Sequence, residues 1–365
     1  MKKLKAAIFS SLGFDKKLLF TVLALVIFGV VMVANASVVD ATRTFGDELF
    51  FAKRQVFRAA GGLFLLLLLS RIPYQIWNKL ALPIICVTLV MLVSVLIPGV
   101  GTEALGARRW INIGIIDLQP AEFAKLALCI YFAHLFAKRQ AFLPFIFALV
   151  LTVGLVMLEP DMGTAAIIVF LSGIIYFASG ANPGYFLALI PVGFITGALF
   201  ILTSDYRRER VLTFLNPSAD PLGTSYHIRQ VLIALGSGGI FGLGLGQSRQ
   251  KYLFLPEPAT DSIFAIIGEE FGFVGGLAVI ILFSYLVWRG LSIAARVNDP
   301  FGRLLAVGIT SWIGIQAFIN LSAMVALLPL TGVPLPFLSY GGSALIFNLA
   351  AMGILLNISS QRRYG

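Results

Sequence analysis

The chain has 365 residues, of which 59% are hydrophobic and only 12% charged, and it carries a formal net charge of +10. Soluble domains average roughly 45–50% apolar and about 25% charged residues, so a water-facing surface cannot be assembled from this composition. The positive charge is therefore no sign of nucleic-acid binding, and its meaning depends on which side of a bilayer each base occupies.

Apolar runs of about twenty residues, each able to cross a hydrocarbon core of roughly 30 Å, recur from Leu18 to Ser359. The runs are continuous rather than alternating, which selects helices over a barrel. In chain order they predict spans at 17–38, 55–71, 79–98, 119–137, 141–158, 161–180, 184–203, 262–288, 303–327 and 339–359. The expectation is an all-α polytopic membrane protein of about ten transmembrane helices, a single domain over residues 1–365. Lys2, Lys3 and Lys5 precede a first run that ends in Ala34, Asn35 and Ala36, an A-x-A-like pattern. That run is longer than a signal-peptide core and reads as an uncleaved first helix.

With the N-terminus inside, the short inner segments hold Lys2, Lys3, Lys5, Lys16, Lys17, Arg71, Lys79, Lys138, Arg139, Arg289, Arg296, Arg303, Arg362 and Arg363. The outer ones hold fewer bases: Arg43, Lys53, Arg54, Arg58, Arg108 and Arg109. Both termini are then cytoplasmic. Residues 204–260, between the seventh and eighth spans, form a large extracytoplasmic loop, exempt by its length from the charge rule. Its apolar residues Ile228, Val231, Leu232 and Leu235 predict a folded loop with short amphipathic helices on the membrane surface.

Cys86 and Cys129 lie inside apolar runs, and with only His134 and His227 besides, no zinc-site spacing exists. Glu122 and Lys125 stand at i and i+3 near the start of the fourth span, on one helix face. Ionisable groups at such depth face a bundle interior or a water-filled cavity, either as a structural ion pair or against substrate. Asp261 begins the eighth span. A helix N-cap accounts for it, and so does a general base held at the outer mouth of the bundle. Glu269 and Glu270 follow about 12 Å deeper, at roughly 1.5 Å per residue, where a carboxylate pair needs partners or water. Arg108 and Arg109, with Arg207, Arg208 and Arg210, make two clusters of forks suited to phosphate oxygens or to anionic lipid headgroups. The glycines from Gly236 to Gly246 lack the strand and the Lys-Ser/Thr ending of a phosphate loop and read as a flexible loop. Ser339 to Ser343 open the last span with small residues that permit close helix approach.

Taken together, GARRWINIG, LQPAEFAKLA, EPDMGTAAI, YRRERVLTFLNPSADPLGTSYH, LPEPATDSIFAIIGEEFG and LPLTGVPLPFLSYGGSALI resemble, in order and over nearly the whole chain, the SEDS family of FtsW, RodA and SpoVE. FFAKRQ, GLGLGQSRQKYLFLPEPATD and WIGIQAFIN look more like the FtsW branch; Tyr226-His227 and Phe301-Gly302-Arg303 look more like RodA. Glu159 stands where the family often has Gln. The resemblance implies a ten-helix peptidoglycan glycosyltransferase of the bacterial inner membrane, acting in cell division at the septum or, RodA-like, in elongation and cell shape. Its implied substrate is lipid II, and its partners are a class B penicillin-binding protein, other division or elongation proteins and membrane lipids. The family's essential aspartate falls on Asp261, and its membrane Glu and Lys on Glu122 and Lys125. The implied reaction joins the C4 hydroxyl of an acceptor lipid II to the anomeric carbon of a donor, with inversion from α to β-1,4 and loss of undecaprenyl pyrophosphate. Asp261 is then the general base, with Arg108, Arg109, Arg208 and Arg210 as pyrophosphate contacts. No cofactor is demanded, although a divalent cation, Mg or Mn, at Asp261 would help neutralise the leaving group. Two other readings stay open, a lipid II flippase and a non-catalytic scaffold for a transpeptidase.

Overall fold

A computed structural model of the chain describes residues 13–104, 107–114, 116–138, 142–202, 205–215 and 225–360. Lys2, Lys3, Lys5, Arg139, Arg362 and Arg363, on which the expected sidedness partly rests, lie outside the described residues.

Asp15 starts the first helix, α1 (Lys16–Ala36). Its carboxylate accepts from the Leu18 N–H at 3.1 Å, a side-chain cap, and pairs with Arg289 at 2.6 Å. The expected span 17–38 ends early, and a separate α2 (Val38–Phe45) follows, closed by Gly46 at φ +68°. The next spans are α3 (Phe50–Arg71) and α4 (Gln75–Leu96). The all-helix expectation then fails locally, because β1 (Gly101–Ala104), β2 (Ala107–Ile113) and β3 (Ile116–Leu118) form an antiparallel sheet. Asn112, Gly114 and Asp117 close its second hairpin, with Asn112 Nδ2 donating to Asp117 Oδ1 at 3.1 Å and Asn112 Oδ1 accepting from the Gly114 N–H at 2.8 Å.

Further along lie α5 (Pro120–Lys138), α6 (Phe142–Leu158), α7 (Met162–Ala178), α8 (Pro183–Leu202), α9 (Asp205–Leu215), α10 (Tyr226–Gly238), α11 (Ile263–Ala294), α12 (Pro300–Met324) and α13 (Gly342–Ser360). Asp161 caps α7 and Asp299 caps α12, each accepting a backbone N–H of the first turn at 2.9 Å. Six of the described helices, α1, α4, α5, α11, α12 and α13, are long and apolar enough to cross a membrane, and α6 and α7 are shorter apolar helices.

Helices α5, α12 and α13 form the interior, where Cys129, Phe132, Trp312, Ile313, Leu349 and Leu355 are fully buried. Gly353 lets α13 close on α3, for a Cβ there would stand 2.5 Å from the Leu66 carbonyl oxygen. Phe64, Leu82, Val90, Leu143, Phe147 and Leu199 point outward. Such a wide outward-facing apolar surface suits contact with lipid rather than water.

The eighth expected span is two pieces. Gly272, at φ +67° and ψ −163°, breaks α11 in a region of backbone space essentially restricted to glycine. Asn35 at the end of α1 donates to Glu270, while Asp15 before its start pairs with Arg289. Nearly equal stretches, 15 to 35 and 270 to 289, therefore run side by side, so the spanning part of α11 follows Gly272. Glu269 and Glu270 sit level with the end of α1 instead of about 12 Å into a span. The glycine loop expected to be flexible is pinned here: the N–H groups of Leu243 and Gly244 donate to the carbonyls of Glu269 and Glu270 at 3.0 and 2.9 Å. Glu269 also accepts from Ser248 Oγ and from the Arg249 N–H at 3.0 Å, and Glu270 pairs with Lys251 at 3.3 Å. The carboxylate pair has the partners it needs. Helices α9 and α10 bear out a folded loop, but α10 packs on the first segment of α11, Gly238 lying against Gly268, so it is not an isolated surface helix.

Candidate active site

A cavity of about 660 Å³ opens between β2, the start of α5, the α6–α7 turn, the 328–334 segment and the start of α13. A second, of about 210 Å³, adjoins it, and Arg210, His227 and Asp261 line both. Asp261 thus stands at the junction of two compartments.

Asp261 is 8% exposed. Ser262 occupies the N-cap position of α11 and makes no side-chain cap bond, so capping does not account for Asp261. Its backbone carbonyl is held by Asn320 Nδ2 at 2.8 Å, which fixes the turn, while among the described residues its carboxylate meets the Thr260 and Ser262 hydroxyls at 3.4 Å. Burial, helped by neighbouring Glu257 and opposed by Arg210, pushes its pKa up to about 6. His227 shares a hydrogen bond of 2.7 Å with Ser262 Oγ, and burial lowers its pKa to about 4, so the ring is neutral.

Glu122 and Lys125 form the expected ion pair at 2.7 Å, with both side chains buried. Lys125 also donates to Gln316 Oε1 at 2.7 Å and lies 5.2 Å from the Trp312 ring centroid. Only Glu122 reaches the cavity wall; its Oε2 is buried without a hydrogen-bond partner. Lys125 stands behind it as counter-charge.

The structure divides each arginine group between two faces. Arg108 and Arg109 are neighbours on β2, and successive strand residues point to opposite faces. Arg109 lines the cavity and Arg108 is exposed. Arg109 donates to the carbonyls of Glu159 and Pro160 at 2.9 and 2.6 Å, so it braces the α6–α7 turn. On α9 a two-residue step likewise separates faces: Arg210 lines both compartments and donates to the Leu330 carbonyl at 2.9 Å, whereas Arg208 is exposed and away from them. Glu159 is buried with both carboxylate oxygens unpartnered, and burial raises its pKa to about 8; it is neutral at physiological pH.

Among the cavity residues to which the sequence reading assigns no chemical role are Arg58, Glu257 and Gln119. Arg58 had a signal, since it falls inside the predicted span 55–71, where a charge marks function. Glu257 and Gln119 stand within LPEPATD and LQPAEFAKLA, but only the fold brings those two segments to one cavity.

Fold and cavity together define a helical membrane protein built around a charged internal site with a buried, elevated carboxylate. Residues 16–364 match the family model for the FtsW, RodA and SpoVE cell cycle proteins. Stage V sporulation protein E of Bacillus subtilis is 41% identical, with 96% of this chain and 98% of that protein covered. A relative from Trichlorobacter lovleyi named "Probable peptidoglycan glycosyltransferase FtsW" is 43% identical, with 95% and 93% covered. A chain solved in a study of the structural coordination of polymerization and crosslinking by a peptidoglycan synthase complex superposes with a TM-score of 0.78 at 29% identity, covering 96% of this chain and 99% of that one. The Thermus thermophilus rod shape determining protein RodA superposes at 0.71 and 28% identity, covering 96% and 98%. The chain belongs to the FtsW, RodA and SpoVE family.

Proposed function

We infer that this family member is a peptidoglycan glycosyltransferase that polymerises lipid II through the cavity around Asp261. The observation that carries the mechanism is the sharing of one buried carboxylate by two adjoining compartments, the arrangement needed where two substrates meet. In the reaction, the acceptor C4 oxygen bonds to the donor anomeric carbon, the bond from that carbon to phosphate breaks, and undecaprenyl pyrophosphate leaves with the electron pair. The hydroxyl proton passes to Asp261. A base with a pKa of about 6 is ionised at neutral pH yet more basic than an ordinary carboxylate, which suits general-base work. Arg210 adds positive charge where the phosphates develop theirs.

Asp261 and Glu257 both line the cavity. This donor set fits Mg or Mn, which keeps several waters and is held by one or two carboxylates together with substrate phosphates. When bound, such an ion would neutralise charge on the leaving group.

The proposed topology has ten spans, both termini cytoplasmic and residues 204–260 on the outer face of a bacterial inner membrane. The proposed partner is a class B penicillin-binding protein, and the proposed role is septal, as the FtsW relatives suggest. Purified chain, with and without such a partner, incubated with labelled lipid II and assayed for glycan strands, tests the reading. Strand synthesis that vanishes in Asp261→Asn supports it; synthesis unchanged in that variant defeats it, and lipid II translocation without synthesis would establish a flippase instead.

A further inference from the structure

Arg58 lies two turns into α3 and is 6% exposed. Its guanidinium carbon stands 4.7 Å from the Tyr340 ring centroid, a stacking contact that attracts the charge but satisfies none of its in-plane donors. Nη1 is buried without a hydrogen-bond partner, and no carboxylate pairs with Arg58 among the described residues. An uncompensated buried cation is costly, and here it faces the 660 Å³ cavity.

The first turn of α13 faces the same space through Gly341, Gly342, Ser343 and Ala344. The leading N–H groups of a helix have no intrahelical acceptor and carry positive partial charge. Gly342 is what brings the guanidinium onto this turn, because a Cβ there would lie 3.2 Å from Arg58 Cζ and Nε. The same unit is tied to the reacting carboxylate. Gln55, one turn before Arg58, donates to the Ser339 carbonyl at 3.2 Å; Ser339 Oγ donates to the Thr260 carbonyl; and the Tyr340 N–H donates to the Ala259 carbonyl at 2.7 Å. A planar fork, free helix amides and a rigid link to Asp261 together describe an anion site at a fixed offset from the base.

We propose that Arg58 and the N-terminal turn of α13 bind the pyrophosphate of the lipid-linked donor, the part of the anion cradle that the exposed Arg108 and Arg208 do not supply. This rests on the glycosyltransferase reading of the cavity. The fork engages two phosphate oxygens, and the helix turn receives the remaining charge.

The test measures binding of undecaprenyl pyrophosphate, undecaprenyl phosphate and inorganic pyrophosphate to the purified full chain in detergent, alongside thermal midpoints. Charge-assisted hydrogen bonds of this kind carry about 10- to 100-fold in affinity. Arg58→Gln should lose that factor for undecaprenyl pyrophosphate and change little for the monophosphate, and Arg58→Lys, which keeps the charge without the fork, should fall between. Wild-type pyrophosphate affinity in a folded Arg58→Gln protein, or equal losses for both lipids, overturns the proposal. Binding of inorganic pyrophosphate as tight as that of the lipid also overturns it, for the site would then be a general anion site. If Arg58→Gln does not fold, Gly342→Ala decides, because it displaces the fork while leaving the cation; the same selective loss supports the proposal and unchanged affinity refutes it. Asp261→Asn should bind undecaprenyl pyrophosphate normally while failing to polymerise. Should that variant polymerise, the general-base reading fails, whereas the binding result for Arg58 is judged separately.

Discussion

Replacing Asp261 by Asn should make the protein inactive and at the same time more stable. The group is buried, and its pKa rises from the ordinary 3.8 to about 6, so folding favours its protonated form. The sign follows: the cost of the charge is absent below pH of about 4, grows as pH rises to about 6, and is complete above that. At about 1.36 kcal/mol per pKa unit, the rise corresponds to about 3 kcal/mol at neutral pH, an upper figure since water entering the cavity would reduce it. Asn has nearly the same shape and no charge, and Ser262 rather than Asp261 holds the cap position, so the substitution removes the cost without removing a cap. Loss of a general base lowers the rate about 100- to 10,000-fold. Thermal midpoints of wild type and Asp261→Asn should therefore diverge as pH rises from about 4 to 6 and stay apart at pH 7, while glycan synthesis by the variant falls by that factor. Wild-type activity should itself climb through pH of about 6. Equal midpoints across this range, or retained synthesis, would refute the reasoning.

Lys125→Ala strands the buried Glu122 carboxylate, and Glu122→Ala strands the Lys125 ammonium beside Trp312; each should cost about 3–5 kcal/mol of stability, read as a lower thermal midpoint or lost yield, against a smaller effect for Glu122→Asp or Lys125→Arg, and full stability of both alanine variants would remove the pair from the fold. Gly272→Ala meets a forbidden backbone conformation and a Cβ 2.4 Å from the Gly242 nitrogen, so it should abolish assembly of the 239–251 loop on α11, read as new protease cleavage in that loop or as lost expression. Glu270→Gln should weaken the pairing with Lys251 and lower stability by about 1–3 kcal/mol, read as a lower thermal midpoint; an unchanged midpoint would contradict the cage. Cysteines placed at Ser218 and Gly365, both outside the described residues, should label from the outside and the inside of intact cells respectively, and the opposite pattern would reverse the proposed orientation.

Much of this architecture was legible because its cause is one-dimensional. A bilayer demands apolar runs of fixed length, so most span positions in the sequence agree with α1, α4, α5, α6, α7, α8, α12 and α13 to within about four residues. The Glu122–Lys125 pair was legible because helical spacing alone brings i and i+3 together. The two arginine clusters were misleading for a related reason: adjacency in sequence reads as a patch, but β2 turns Arg108 away from Arg109, and that stretch gives no helix-like warning of a strand. The break at Gly272 was equally hidden, because a glycine within an apolar run signals a tight contact as readily as a chain reversal.

The sequence by itself determined that the chain lives in a membrane, that charge is confined to a few positions, and that Asp261 stands just before a helix. Only the tertiary structure decided what those charges do. Asp261 acquires its raised pKa from burial and from Glu257; Glu269 and Glu270 become a cage for a glycine loop; Arg58 meets the α13 turn from a position 284 residues before Gly342. The physical reason is that a pKa, an ion pair and an unpaired donor depend on distances between segments remote along the chain, and hydrophobic periodicity carries no information about those distances.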